Sequence, residues 1–129
     1  MLHVLHIEDQ RDIHTILRLT LQASKQFTVS GAADGATGIA LAQELKPDLI
    51  LLDYTLPDLK GDQILEQLRA IPATAAIPVI LLTALTDMID MGRCRALGAL
   101  DIILKPFSPK TIASQLLAIL AEHQRKGTD

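Results

Sequence analysis

The chain is poor in cysteine and in aromatic residues: one Cys (Cys94), one Tyr (Tyr54), two Phe (Phe27 and Phe107) and no Trp in 129 residues. A lone cysteine excludes an intramolecular disulfide framework and any thiolate metal cluster, and it suits a reducing compartment. With so few rings there is no platform for stacking nucleobases. Twelve Lys and Arg against fifteen acids give a formal charge of −3, scattered without a basic stripe, so direct nucleic-acid binding is not expected. No apolar run approaches the roughly 18 residues of a membrane span, and Met1-Leu2-His3 opens no signal-like segment. The expectation is a cytoplasmic domain without repeats or low-complexity tracts.

What is present is aliphatic. Nearly half the residues are apolar (49%), enough for one domain with a proper core. The central stretch is Leu49-Ile50-Leu51-Leu52-Asp53, followed by Pro57 and Gly61. A continuous apolar run bounded by turn signals predicts a strand buried on both faces. Similar runs at 2–7, 27–32, 79–82 and 102–104 predict four more strands. Between them, helical spacing predicts a helix with Asp9 or Asp12 near its start, and others over 36–45, from Gly61 to the stop at Pro72, and over 87–97 with Gly98 just beyond. A last helix is expected over 109–124, with Pro109 in its first turn. Residues 1–124 then form the domain and 125–129 a solvated tail. Strands alternating with helices imply right-handed crossovers, a parallel sheet and a three-layer α/β/α sandwich; strand order stays open at this point.

In a parallel sheet all carboxyl ends share one rim, where open α/β sheets place their ligand crevices. That rim receives Glu8 and Asp9 from the first strand, Asp53 from the third, Thr83 from the fourth and Lys105 from the fifth. Taken singly, each has a plainer role: a solvated strand end, a turn former or cap, a surface lysine. Together they describe a chemistry. Three converging carboxylates repel unless a cation enters. Oxygen donors without Cys or paired His favour a hard ion, Mg²⁺ or Mn²⁺. Magnesium bridges to phosphate oxygens, Lys105 adds a point charge, Thr83 a hydroxyl donor, and an aspartate in such company can accept a phosphoryl group as an acyl phosphate.

These motifs, Glu8-Asp9, Asp53 with Pro57 and Gly61, Thr83-Ala84 and Lys105-Pro106-Phe107, resemble the receiver domain of two-component response regulators along the whole chain. The resemblance implies a flavodoxin-like five-stranded parallel sheet in the order 2-1-3-4-5. It implies Asp53 as phosphoacceptor from a sensor histidine kinase or histidine phosphotransfer protein. Asp9, Asp53 and the Thr55 carbonyl would be direct Mg²⁺ ligands, with Glu8 acting through water. Lys105 and Thr83 would hold the phosphoryl oxygens, and the Lys105–Pro106 bond would be cis. A downstream target or a fused output domain would read the state, and a homodimer is compatible with it.

One position departs from the family pattern. Three residues before the lysine, where a Tyr or Phe usually turns inward after Thr83 moves, stands Ile102, stiff and without a phenolic tip. The expectation is a switch that moves the loop after Thr83 and the fourth helix without an aromatic rotor. Tyr54 and Leu85 are expected to flank the site, and an apolar Leu85 to leave self-dephosphorylation slow. His6 reads as a satisfied core histidine, His3, His14 and His123 as lacking companions at metal spacing, Cys94 as inert, and Met88 and Met91 as helix packing. Two rival readings remain. A phosphohydrolase would want a second carboxylate two residues after Asp53, where Thr55 stands; a pseudo-receiver would have lost some of the five rim residues, which are all present. The chain is expected to be either a stand-alone regulator or a receiver from a longer protein.

Overall fold

In the computed structural model, which describes residues 1–127, strands and helices alternate along the chain. They run β1 (Leu2–Ile7), α1 (Arg11–Ala23), β2 (Phe27–Ala32), α2 (Gly35–Leu45), β3 (Leu49–Asp53), α3 (Gly61–Ala70), β4 (Val79–Thr83), a 3₁₀ helix (Leu85–Asp90), α4 (Met91–Ala96), β5 (Asp101–Leu104) and α5 (Ile112–Gly127). All four strand pairings are parallel, in the order β2-β1-β3-β4-β5. β3 and β4 are buried at every residue, as their unbroken aliphatic runs require.

Alternation along the strands divides the core in two. Leu5, Ile7, Ile50, Leu52 and Leu81 face Ile39 and Ala42 of α2, Ile64, Leu65 and Leu68 of α3, and Met91 and Cys94 of α4. Val4, Leu49, Leu51, Ile80, Leu82 and Ile103 face Leu17 and Leu21 of α1 and Ile112, Leu116 and Leu120 of α5. The result is the expected three-layer sandwich, and its strand order sets β1 and β3 side by side at the centre.

Gln10 occupies the N-cap of α1 without a side-chain cap bond, and Asp12 sits in the first turn, as expected. Three local expectations need correction. The 87–97 helix is split into a 3₁₀ turn and a short α-helix. Met88 is 38% exposed while Met91 and Cys94 are buried, so the first half has too little apolar stripe to hold an α-helix against the core. Pro109 precedes α5 rather than opening it: Ser108 O accepts from Thr111 N–H (3.1 Å), which makes Pro109 the second residue of a turn. Finally, α5 runs to Gly127, past its expected end near 124; Thr128 and Asp129 lie outside the described residues. Gly98 does close α4 with φ +89°.

Candidate functional site

Burial of β3 on both faces delivers Asp53 to the carboxyl rim with its side chain almost enclosed, and Tyr54 N–H donates to Leu82 O at 3.0 Å. The chain then turns sharply. Gly61 N–H donates to Tyr54 O (2.6 Å), and a Cβ at residue 61 would lie 2.9 Å from the Tyr54 Cα, so only glycine permits this return. The loop between them is pinned at its tip. Asp58 accepts from the N–H groups of Gly35 (2.8 Å) and Ala36 (2.9 Å) at the start of α2, and these donors hold its carboxyl below the usual range. Asp34 caps the same helix through Thr37 N–H (2.7 Å).

From β5, Lys105 reaches back across the rim, its backbone N–H donating to Thr83 O (2.8 Å) and its peptide bond to Pro106 cis, as the family pattern implies. Its Nζ lies 2.6 Å from Asp53 Oδ1 and 3.8 Å from Glu8 Oε1. From β1, Glu8 is 3% exposed, and among the described residues neither of its carboxylate oxygens has a hydrogen-bond partner. Burial, then the Asp53 carboxylate, pushes its carboxyl up to about 8 against the pull of Lys105. Asp9, on the exposed side, completes a set with Glu8 and Asp53 whose ligand atoms lie within 4.8 Å of one another. An all-oxygen set with two orphaned buried acceptors fits a hard divalent cation, which would satisfy the oxygens that no protein donor reaches.

The structure thus brings together Glu8, Asp9, Asp53 and Lys105. Thr83 is buried at the end of neighbouring β4, its hydroxyl donating to Ala84 O (3.3 Å). Thr55 opens the loop after Asp53, and its hydroxyl donates to Asp87 Oδ2 (3.4 Å) of the 3₁₀ helix. Tyr54 does not flank the entrance as expected. It is 2% exposed and packed in the α3/α4 core, where burial first and then Asp90 raise its hydroxyl well above the usual phenol range. Leu85 is 75% exposed.

Sequence reasoning missed a histidine pair. His6 Nδ1 and His14 Nδ1 are 2.9 Å apart, a hydrogen-bonded pair rather than a metal pair, while among the described residues His6 Nε2 is buried without a partner. Burial, then His14 and Lys105, lower His6 to about 3; burial and Arg18 lower His14. A spacing of eight residues across a strand and a helix carries no recognisable signal; the pair exists only in the fold.

The family model for the response regulator receiver domain matches residues 4–117. Among curated relatives, the transcriptional regulatory protein AfsQ1 of Streptomyces coelicolor is 36% identical over 126 residues, covering 98% of this chain and 54% of that protein. The DNA-binding response regulator MtrA of Mycolicibacterium smegmatis is 31% identical over 121 residues, covering 94% and 51%. The chain therefore spans about half the length of the curated relatives it matches. Among solved structures, the chemotaxis response regulator CheY4 of Vibrio cholerae superposes with a TM-score of 0.84 at 29% identity, covering 92% of this chain and 98% of that one.

Proposed function

The chain belongs to the response regulator receiver domain family, whose general function is to accept a phosphoryl group in two-component signalling, and from that premise we propose that Asp53 is the acceptor. The observation that carries this reading is the convergence of Asp53, Glu8, Asp9 and Lys105 from three different strand ends, with Lys105 Nζ 2.6 Å from the Asp53 carboxylate. The donor is a phosphohistidine of a sensor histidine kinase or histidine phosphotransfer protein. Its phosphorus–nitrogen bond breaks as a bond forms from phosphorus to an Asp53 oxygen.

Mg²⁺, with Mn²⁺ as a substitute, would be held by Asp9, Asp53 and the Thr55 carbonyl, with Glu8 in support, and when bound it supplies charge neutralisation for the phosphoryl oxygens. The protein's own residues do the rest. Lys105 holds one phosphoryl oxygen as a point charge. Thr83, bonded only weakly to Ala84, is free to turn its hydroxyl to another. Burial of the rim limits access of water to the acyl phosphate, and Leu85 offers no group to orient what enters, so self-dephosphorylation is slow.

Readout passes through the 3₁₀ helix and α4, with Ile102 packed against their side of the core in place of an aromatic rotor. Comparing backbone chemical shifts with and without a phosphoryl mimic checks this; an unmoved α4 counts against it. The output is a partner protein or a fused domain, in a cytoplasmic setting; among the described residues no helix is long and apolar enough to cross a membrane. The deciding experiment is incubation with a small phosphodonor and Mg²⁺ followed by intact mass. One phosphoryl group is expected on the wild type and none on Asp53→Asn. Repeated turnover of a phosphate ester, rather than a stoichiometric reaction, would favour a phosphohydrolase instead.

A further inference from the structure

Beside the acidic rim lies a cleft of about 300 Å³ whose lining includes Glu8, Asp9, Arg11, His14 and Gly31. It places an imidazole from the first turns of α1 next to the Glu8-Asp9 segment. That imidazole reaches inward to His6, which is fully buried on β1, with ring centroids 5.1 Å apart and Nδ1 atoms 2.9 Å apart. At 2.9 Å the two Nδ1 atoms can only share one proton, so one Nδ1–H donates and the other Nδ1 accepts.

The contact needs a slot. His6 and Gly31 are register partners on β1 and β2, so their side-chain positions share a sheet face. A Cβ on residue 31 would lie 2.5 Å from both Cε1 and Nε2 of His14, a clash that only glycine avoids. The intervening segment is thereby fastened at both ends. Glu8 N–H donates to Ala32 O (2.9 Å) before it, and His14 N–H donates to Gln10 O (3.1 Å) after it.

We infer that the His6–His14 contact, seated over Gly31, is a positioning clamp that holds the Glu8-Asp9 segment in the geometry a divalent ion requires. Neither histidine is a ligand. They act by limiting how far the acid-bearing loop strays from Asp53, as outer groups do when they orient metal ligands. Among the described residues His14 is the one hydrogen-bond partner of His6, so removing it leaves that buried ring unbonded to any of them. The inference rests on the reading that Glu8, Asp9 and Asp53 hold a divalent ion.

The test uses the full chain with His14→Ala, Gly31→Ala and His14→Asn. His14→Phe fills the slot without a nitrogen and replaces His14→Ala should that variant fail to fold. Mg²⁺ affinity is measured by calorimetric titration, and hydrogen exchange at the hydrogen-bonded amides of Glu8 and residue 14 is followed in magnesium-free buffer. His14→Ala and Gly31→Ala are expected to weaken Mg²⁺ binding about tenfold and to speed exchange at both amides. His14→Asn, which restores a polar partner, is expected to recover most of the affinity. Variants that melt earlier yet keep wild-type Mg²⁺ affinity and exchange would overturn the clamp and leave the pair a packing feature. If the wild type itself takes up no Mg²⁺, the metal reading fails separately, and unchanged exchange at the Glu8 and residue-14 amides in His14→Ala then overturns the clamp on its own.

Discussion

The two flanks of the sheet hold their polar groups in opposite ways. Around β1 and β3, Glu8 and Asp53 are carried by strand ends that follow the buried Ile7 and Leu52, and among the described residues no donor bonds either buried oxygen of Glu8. Around β4 and β5, Leu85, Met88 and Leu104 are exposed, and the 3₁₀ helix and α4 are fastened by side chains. Thr55 reaches Asp87, Arg93 bridges Asp62 (3.2 Å) and Glu66, and Arg69 donates to the carbonyls of Leu97, Gly98, Ala75 and Ile77. A strand end cannot move without opening the core, whereas side-chain fastenings can be exchanged one at a time. On the function proposed above, the first flank fixes the reacting centre and the second changes arrangement in response to it.

The largest effect that would sharpen this contrast is expected at Lys105. Lys105→Ala removes the fixed charge from Asp53 and should slow phosphoryl uptake from a small donor by about 10²-fold or more, read as the rate of mass gain. A change of only a few-fold would place the decisive charge elsewhere. Next comes Gly61→Ala, which forces a Cβ against the Tyr54 backbone and should cost about 1–3 kcal/mol in denaturant unfolding. An unaltered midpoint would mean that the return of the loop is not rigid.

Glu8 gives a test by pH in magnesium-free buffer. Its carboxyl, at about 8 in the fold, holds a proton that the unfolded chain has lost above about 4.5, so stability falls as pH rises between those values. His6 and His14, lowered in the fold, bind protons below about 6.5 more readily in the unfolded chain, which lowers stability as pH falls. Above that range the Glu8 proton sets the sign, and stability should drop by about 2 kcal/mol between pH 6.5 and 8. Glu8→Gln should flatten that upper limb, as should Mg²⁺. A limb that survives Glu8→Gln would assign it to another group.

On the second flank, Arg69→Met should leave β3 untouched and speed amide exchange in α4 and Gly98, at a global cost of about 1–2 kcal/mol. Equal loosening of β3 would erase the distinction between the flanks. The smallest effect is expected for Ile102→Tyr. It should alter phosphoryl uptake less than about twofold, because the chemistry does not pass through that side chain.

Legibility in the sequence followed the range of the interactions. β3 was readable residue for residue because an unbroken aliphatic run has one comfortable environment. The 87–97 segment was misread because a few apolar residues at loose spacing fit an α-helix and a 3₁₀ turn alike. Pro109 was misplaced because proline suits both the second position of a turn and the first turn of a helix. The rim residues were found as polar ends of apolar runs, yet Asp58, pairing with α2 from 22 to 23 residues away, carried no local sign.

The order of apolar and polar residues by itself determined a parallel α/β sandwich and the candidates Glu8, Asp9, Asp53, Thr83 and Lys105, since hydrophobic periodicity and turn chemistry act within a few residues. Only the tertiary structure decided that Glu8 has no donor for its buried oxygens, that Tyr54 turns into the core, and that His14 finds His6 across the space Gly31 leaves. Those outcomes depend on what neighbouring elements leave empty or fill, and packing between segments distant in the chain is settled when the layers close.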